Sequence, residues 1–288
     1  MTIKIAFLGL GVMGSAMAAN LARFGCAVVG WNRTSDRSSI KVASDAGVTI
    51  AANLQDAVKD ADVIFSCLGD IPDVTEILVN QVANLEHKSA LVIDTSTIGS
   101  DAAQNISKLL EARGLRFLDA PVSGGDIGAR NGTLTIMVGG DRLDFDQAKP
   151  YLDMIGKNIY YCGSLGSGQA VKLCNQVLVS TYMMGICEAV LLAQKTGIDP
   201  NLMIEVCGSG AAGSWALSNL GIKVANQDFA PGFMVKHILK DLRIVKAVGD
   251  SENLLGVDLS DRLFQIVNEL EGGSEQGTQA MIRAYLGS

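Results

Sequence analysis

The sequence predicts an α/β protein in which a doubly wound parallel sheet is followed by an all-helical second domain. Three observations carry this reading. Up to about residue 163, short β-branched runs alternate with helical stretches, the pattern of a parallel sheet wrapped by helices. The runs are nearly continuous in apolar residues, as a sheet covered on both faces requires. After Gly163-Ser164-Leu165-Gly166-Ser167-Gly168 the strand signal stops, which sets the domains at 1–163 and 164–288.

The elements follow in order. Ile3 to Leu8 reads as the first strand, and a helix is expected from Ser15 to Phe24. Further strands are expected at Ala27 to Trp31, Val63 to Leu68, Ala90 to Asp94, Arg116 to Asp119, Leu134 to Gly139 and Asn158 to Cys162. Leu54 to Lys59 and Asp101 to Ala112 read as helices between them. The second domain opens with a helix from Gln169 to Thr196, stopped by Gly197, and Asp199-Pro200 caps the next one. That opening helix is long for a globular protein. It is expected to form the spine of its domain with apolar faces on more than one side, which favours a homodimer or homotetramer.

Composition narrows the function. Lys and Arg number 23 against 30 Asp and Glu, a net charge of -7 that argues against nucleic acid as a partner. Apolar residues at 48% and charged residues at 18% exclude a disordered chain. Cys26, Cys67, Cys162, Cys174, Cys187 and Cys207 lie far apart without a C-x-x-C, and read as buried thiols in a reducing compartment. His87 and His237 are the only histidines, so no metal site is expected; His87 reads as surface and His237 as structural. Lys4 with the apolar stretch before Ala16-Met17-Ala18 imitates a secretory signal, but Gly9, Gly11 and Gly14 interrupt it. Val177 to Ala193 contains Glu188 and falls short of a clean membrane span. A cytoplasmic protein without membrane association is expected.

The first strand runs into Gly9-Leu10-Gly11-Val12-Met13-Gly14. At a strand-to-helix junction these glycines have separate tasks. Gly9 permits the turn, Gly11 lets backbone approach a pyrophosphate, and Gly14 lets the helix pack on the strand. The phosphates then lie at the positive end of the helix. The second strand ends in Asn32-Arg33-Thr34, without the carboxylate that would hold the ribose of NAD. A guanidinium and a hydroxyl suit a 2'-phosphate, so NADP (NADPH) is the expected cofactor. In the competing reading Arg33 is a solvated charge, Asp36 contacts the ribose, and Thr34-Ser35-Asp36 caps a helix.

Two segments point to chemistry. Lys172 and Asn175 share a helix face that continues through Val179, Tyr182 and Ile186, so the lysine heads a stripe expected to become buried. A cation near a helix N-terminus is disfavoured by the macrodipole, which is costly without a purpose. A solvated surface lysine is the ordinary alternative. Asp119-Ala120-Pro121-Val122-Ser123-Gly124-Gly125 follows a strand at its carboxyl end, where open parallel sheets bind ligands. Ser123, Gly124 and Gly125 read equally as a tight turn or as a nest of N–H groups for a carboxylate.

The segment Phe7 to Leu21, together with Asp119 to Gly125, Gly132-Thr133-Leu134, Gly168-Gln169-Ala170-Val171-Lys172-Leu173-Cys174-Asn175 and Lys240-Asp241-Leu242, resembles the β-hydroxyacid dehydrogenase family. The matches run from residue 7 to 242. The resemblance implies a Rossmann-type domain joined to an all-helical one, with the active site in the cleft between them. It assigns Lys172 as the catalytic lysine and Asn175 as its companion. It places Ser123, Gly124 and Gly125 on the substrate carboxylate, Leu68, Thr97 and Lys240 on the cofactor, and Asp241 near the amine. Ser214, Trp215 and Phe233 would border the substrate pocket. Gly69 departs from the pattern, since many relatives carry a proline there.

Within the family, Asn32-Arg33-Thr34 is similar to the NADPH-using glyoxylate and succinic semialdehyde reductases. The implied reaction is hydride transfer to the carbonyl of a small aldehyde acid, with Lys172 as general acid. A 3-hydroxyisobutyrate or tartronate semialdehyde-type dehydrogenase is the rival enzyme reading. A non-catalytic scaffold retaining the cofactor fold is the rival of another class. Imine reduction is disfavoured, because imine reductases generally place another residue where Lys172 stands.

Overall fold

The computed structural model describes residues 3–35, 37–249 and 253–287. The chain forms two compact units, 1–172 and 173–288, so the division falls within the opening helix of the second domain.

The first unit holds β1 (Lys4–Leu8), α1 (Val12–Arg23), β2 (Ala27–Trp31), α2 (Ser38–Asp45), β3 (Thr49–Ile50), α3 (Leu54–Val58) and β4 (Val63–Ser66). It continues with α4 (Ile71–Val74, prolonged by a π-helical stretch Thr75–Gln81), β5 (Leu91–Asp94), α5 (Ser100–Glu111), β6 (Arg116–Asp119), β7 (Val122–Ser123), α6 (Gly125–Asn131), β8 (Leu134–Gly139), α7 (Arg142–Ile155) and β9 (Gly156–Gly163). The strand order is β3-β2-β1-β4-β5-β6-β8-β7, with β9 on β8. Pairing is parallel from β3 through β6, which is the doubly wound half of the sheet. Side chains alternate between two cores. Ile5, Phe7, Phe65 and Ile93 face one, and Ala6, Leu8, Ile64 and Val92 face the other. Both faces of the sheet are therefore buried, as the apolar runs require.

Some details differ from the sequence reading. β8 runs antiparallel to β6 and β7. The connection 124–133 is shorter than the dozen or so residues a parallel crossover needs. β3 and β7 have two residues each, too short for a periodic signal. α1 starts at Val12 and not at Ser15, because Gly11 is already its cap and the Ser15 N–H donates to the Gly11 carbonyl (2.9 Å). α2 is capped by the backbone of Arg37, so Thr34 and Ser35 do not cap it. Asp36 lies outside the described residues.

The second unit is helical. Its helices are α8 (Ser167–Thr196, whose first residues belong to unit one), α9 (Pro200–Gly208), α10 (Ile222–Ala225), α11 (Val235–Val248), α12 (Leu255–Glu269) and α13 (Ile282–Leu286). Asp199 caps α9, its side chain accepting from the Asn201 N–H (3.0 Å) with Pro200 in the first turn. α8 is long and apolar enough to cross a membrane by length and composition. Its Leu173, Met183, Ile186, Cys187 and Val190 are nevertheless built into the core of this unit with Ile204, Leu242, Phe264 and Met281. The buried stripe that Lys172 heads runs through Gln176, Ser180, Met183, Cys187 and Val190. Tyr182, expected on it, is exposed and Val179 half-buried, because the centre of the buried face lies one residue further round the helix. Only Cys187 among the cysteines is buried, while Cys174 is exposed on α8; all six are free thiols.

Candidate active site

The glycine turn is fixed on every side. Gly9 adopts φ +95° between β2 and β4, donating its N–H to the Trp31 carbonyl (2.9 Å). A Cβ there would stand 2.3 Å from the Cys67 carbonyl oxygen. A Cβ on Gly14 would stand 1.9 Å from the Gly9 carbonyl oxygen, so α1 packs on the turn only with glycine at 14. Leu10 is wholly buried, Met13 packs on the core and Val12 is exposed. Gly11 differs from its neighbours. Among the described residues the nearest atom to its would-be Cβ is Nη1 of Arg37, 3.9 Å away, so none of them requires glycine there. Space in front of an uncapped helix start, with a guanidinium beside it, fits a pyrophosphate.

At the end of β2, Asn32 serves the backbone. Its Oδ1 accepts from the Leu10 N–H (2.8 Å) and its Nδ2 donates to the Thr34 carbonyl (2.7 Å), so the amide fixes the glycine turn and is occupied by protein groups. Arg33 pairs through Nη1 with Asp73 Oδ1 (2.9 Å), and Thr34 is exposed beside it. Arg37 and Asp73 escaped the sequence reading. A lone arginine in a polar loop and an acid in another carry no spacing signal.

Around β4 to β6 the loops are tied together by buried polar groups. The Leu68 N–H donates to Ser96 Oγ (2.8 Å), and Ser96 Oγ and Ser66 Oγ both donate to Asp94 Oδ1 (2.7 Å each). Asp94 is fully buried, and desolvation pushes its carboxyl above the ordinary range against the pull of the two serines. Thr97 follows on a segment clamped by Gln169. Its Oε1 accepts from the N–H groups of Ile98 and Gly99 (3.0 Å each), and its Nε2 donates to the Ser96 carbonyl (2.8 Å).

Asp119 holds the start of α8. Its carboxylate accepts from the N–H groups of Gly166 (2.7 Å) and Gln169 (2.8 Å), satisfying donors that a helix start otherwise leaves unpaired. Burial raises the Asp119 carboxyl pKa, and these backbone donors oppose the rise. Lys172 follows on the same helix, 7% exposed. Ser123 lies in β7, Gly124 caps α6 and Gly125 opens it, with open space where a Gly125 Cβ would be. This is a helix start preceded by a hydroxyl, and it can accept a carboxylate.

In the second unit, Asn175 Nδ2 donates to Gln176 Oε1 (2.8 Å), and Gln176 Nε2 donates to Asp241 Oδ2 (2.5 Å). Asp241 Oδ1 lies 2.8 Å from the Lys240 ammonium, off hydrogen-bonding alignment. Three predicted residues thus share one network through Gln176, which the sequence reading missed. Ser214 is a helix-start residue, its Oγ accepting from the Leu217 N–H (3.0 Å), and Trp215 is 57% exposed. Phe233 packs on the core beside the His237 ring (5.9 Å). None of these three has a described contact with the network.

Residues 4–163 match the family model described as the NAD binding domain of 6-phosphogluconate dehydrogenase. Residues 166–285 match the NAD-binding domain of NADP-dependent 3-hydroxyisobutyrate dehydrogenase. The chain is 53% identical to an uncharacterised oxidoreductase of Synechocystis sp., over 98% of each chain. It is 32% identical to the chloroplastic glyoxylate/succinic semialdehyde reductase 2 of Arabidopsis thaliana, over 98% of this chain and 79% of that one. The structure of 3-hydroxyisobutyrate dehydrogenase from Mycobacterium tuberculosis with L-serine superposes with a TM-score of 0.85 at 31% identity, covering 99% of both chains. The glycine turn and these likenesses define an NAD(P)-dependent oxidoreductase of the hydroxyacid dehydrogenase and reductase type. The chain belongs to the β-hydroxyacid dehydrogenase family.

Proposed function

We propose that the protein is an NADPH-dependent reductase of small aldehyde acids, converting succinic semialdehyde to 4-hydroxybutyrate and glyoxylate to glycolate. The observation that carries the reading is the cationic rim of the glycine turn. Arg33 follows β2 and Arg37 lies beside Gly11, and residues 32–35 carry no carboxylate, which supports a 2'-phosphate at this rim. Reduced cofactor is the form cells hold for NADPH, which sets the direction. The named reductase from Arabidopsis supports the substrate class.

When bound, reduced nicotinamide supplies the hydride. Lys172, as its ammonium, donates a proton from Nζ to the alkoxide oxygen as it forms, help worth about 10²–10⁴-fold. Ser123 and the first N–H groups of α6 hold the substrate carboxylate and so fix which end of the molecule reacts. Asn175 orients the reacting group, itself held by Gln176, which Asp241 holds in turn. Leu178, Tyr182 and Leu192 leave apolar surface exposed along α8, which supports a homodimer or homotetramer. A second reading, oxidation of a 3-hydroxy acid, is favoured by the relative solved with L-serine.

A panel of glyoxylate, succinic semialdehyde, tartronate semialdehyde and methylmalonate semialdehyde, followed by loss of NADPH absorbance, tests the proposal. Glyoxylate and succinic semialdehyde should rank first. Faster turnover of 3-hydroxyisobutyrate with NAD would overturn it.

A further inference from the structure

The ion pair between Arg33 and Asp73 crosses the crevice. Arg33 lies just beyond β2 and Asp73 lies in α4 beyond β4, while β1 sits between those strands. The pair therefore passes above the carboxyl end of β1, from which the glycine turn emerges. Its two members are held very differently. Asp73 Oδ2 accepts from the Asp70 N–H (3.3 Å), closing a capping box in which the Asp70 side chain accepts from the Asp73 N–H, and Asp70 Oδ1 also accepts from the Ile71 N–H (2.7 Å). Gly69 makes room for this carboxylate, since a Cβ there would stand 2.6 Å from Asp73 Oδ2. The Arg33 side chain is 68% exposed and Asp73 33%. The acid is seated by backbone, and the guanidinium is the more exposed partner.

We propose that Asp73 sets cofactor selectivity by competing with the adenosine 2'-phosphate for the guanidinium of Arg33. The inference rests on the NADPH reading above. A phosphate dianion must share Arg33 with the seated carboxylate or draw it away, and it meets like charge from Asp73 as it does so. A ribose with only hydroxyls brings no such charge and meets no such opposition. Asp73 therefore narrows the preference that Arg33 creates. Glycine at 69 leaves the space that the acid occupies.

Calorimetric titration of the full-length protein with 2',5'-ADP and with 5'-AMP isolates this end of the cofactor without turnover. Wild type should bind 2',5'-ADP more tightly than 5'-AMP. Asp73→Asn, which keeps an oxygen for the Asp70 N–H, should tighten 2',5'-ADP by about three- to tenfold and leave 5'-AMP within about twofold. In an Arg33→Ala background the same change should lose most of that gain. Asp73→Ser repeats the test should the asparagine disturb the cap. Unchanged or weaker binding of 2',5'-ADP by both variants, with wild-type preference intact, overturns the competition alone. An equal change for both nucleotides also overturns it, since it would report loop packing. A wild type that binds both nucleotides equally removes the NADPH reading and this inference together.

Discussion

Asp119 in the first unit and Asp241 in the second are both buried, and they are satisfied by different means. In the first unit Asp119 is held by backbone N–H groups of Gly166 and Gln169, and the glycine turn is held by the backbone of Trp31 and the oxygens around it. In the second, Asp241 depends on one side chain, Gln176, and on the ammonium of Lys240. Backbone partners come with the fold, so such a site is rigid as soon as the sheet forms. Side-chain partners can be deleted singly. The glycine turn and the Asp119 site should therefore respond to changes of shape, and the Asp241 site to loss of individual polar groups.

Substitutions sharpen that contrast. The largest effect is expected for Lys172→Ala, which should lower kcat by about 10²–10⁴-fold while NADPH affinity, measured by fluorescence titration, changes little. Retained turnover would end the general-acid role. Next, Gly14→Ala should destabilise the first unit by about 1–3 kcal/mol in urea unfolding, since its methyl meets the Gly9 carbonyl. Gly11→Ala should leave stability nearly unchanged and weaken cofactor binding. Equal stability losses for the two glycines would break the distinction between packing and approach.

In the second unit, Gln176→Ala leaves Asp241 Oδ2 without its donor and should cost about 1–3 kcal/mol by the same measurement. Gln176→Glu, which replaces the donor by a like charge, should cost more. The smallest effect concerns Asp94. Its carboxyl is raised from 3.8 by burial, so the folded chain keeps a proton that the unfolded chain releases. That contribution to stability is full below the unfolded value and is lost as pH rises from about 4 through the folded pKa. Asp94→Asn should flatten this decline in unfolding free energy, and an unchanged slope would show that Asp94 ionises normally in the fold.

The same contrast explains what could be read from the sequence. Gly14 is legible because it answers to the Gly9 backbone five residues away, Gly9 because the spacing of the three glycines after a strand marks the turn, and Lys172 because it heads a buried stripe. Asp199-Pro200 announced its helix for the same local reason. Gln176 and Asp241 are 65 residues apart, and Arg33 and Asp73 are 40 apart, so no local pattern joins either pair. Arg37 became visible only when the loop carried it to the side of Gly11. Tyr182 was misplaced because one residue of helical rotation separates a buried stripe from an exposed one. The cysteines were misjudged because apolar neighbours in sequence do not fix which face of an element is covered.

The make-up of α8 has a consequence for synthesis. Its apolar side is covered by residues that extend to Ile282, 86 positions beyond Thr196. At roughly 5–20 residues per second the ribosome needs about 4–17 seconds to supply them. Until they emerge, the apolar face of this thirty-residue segment lacks the partners that cover it in the fold. A chaperone that shields apolar segments should therefore raise the yield of this enzyme.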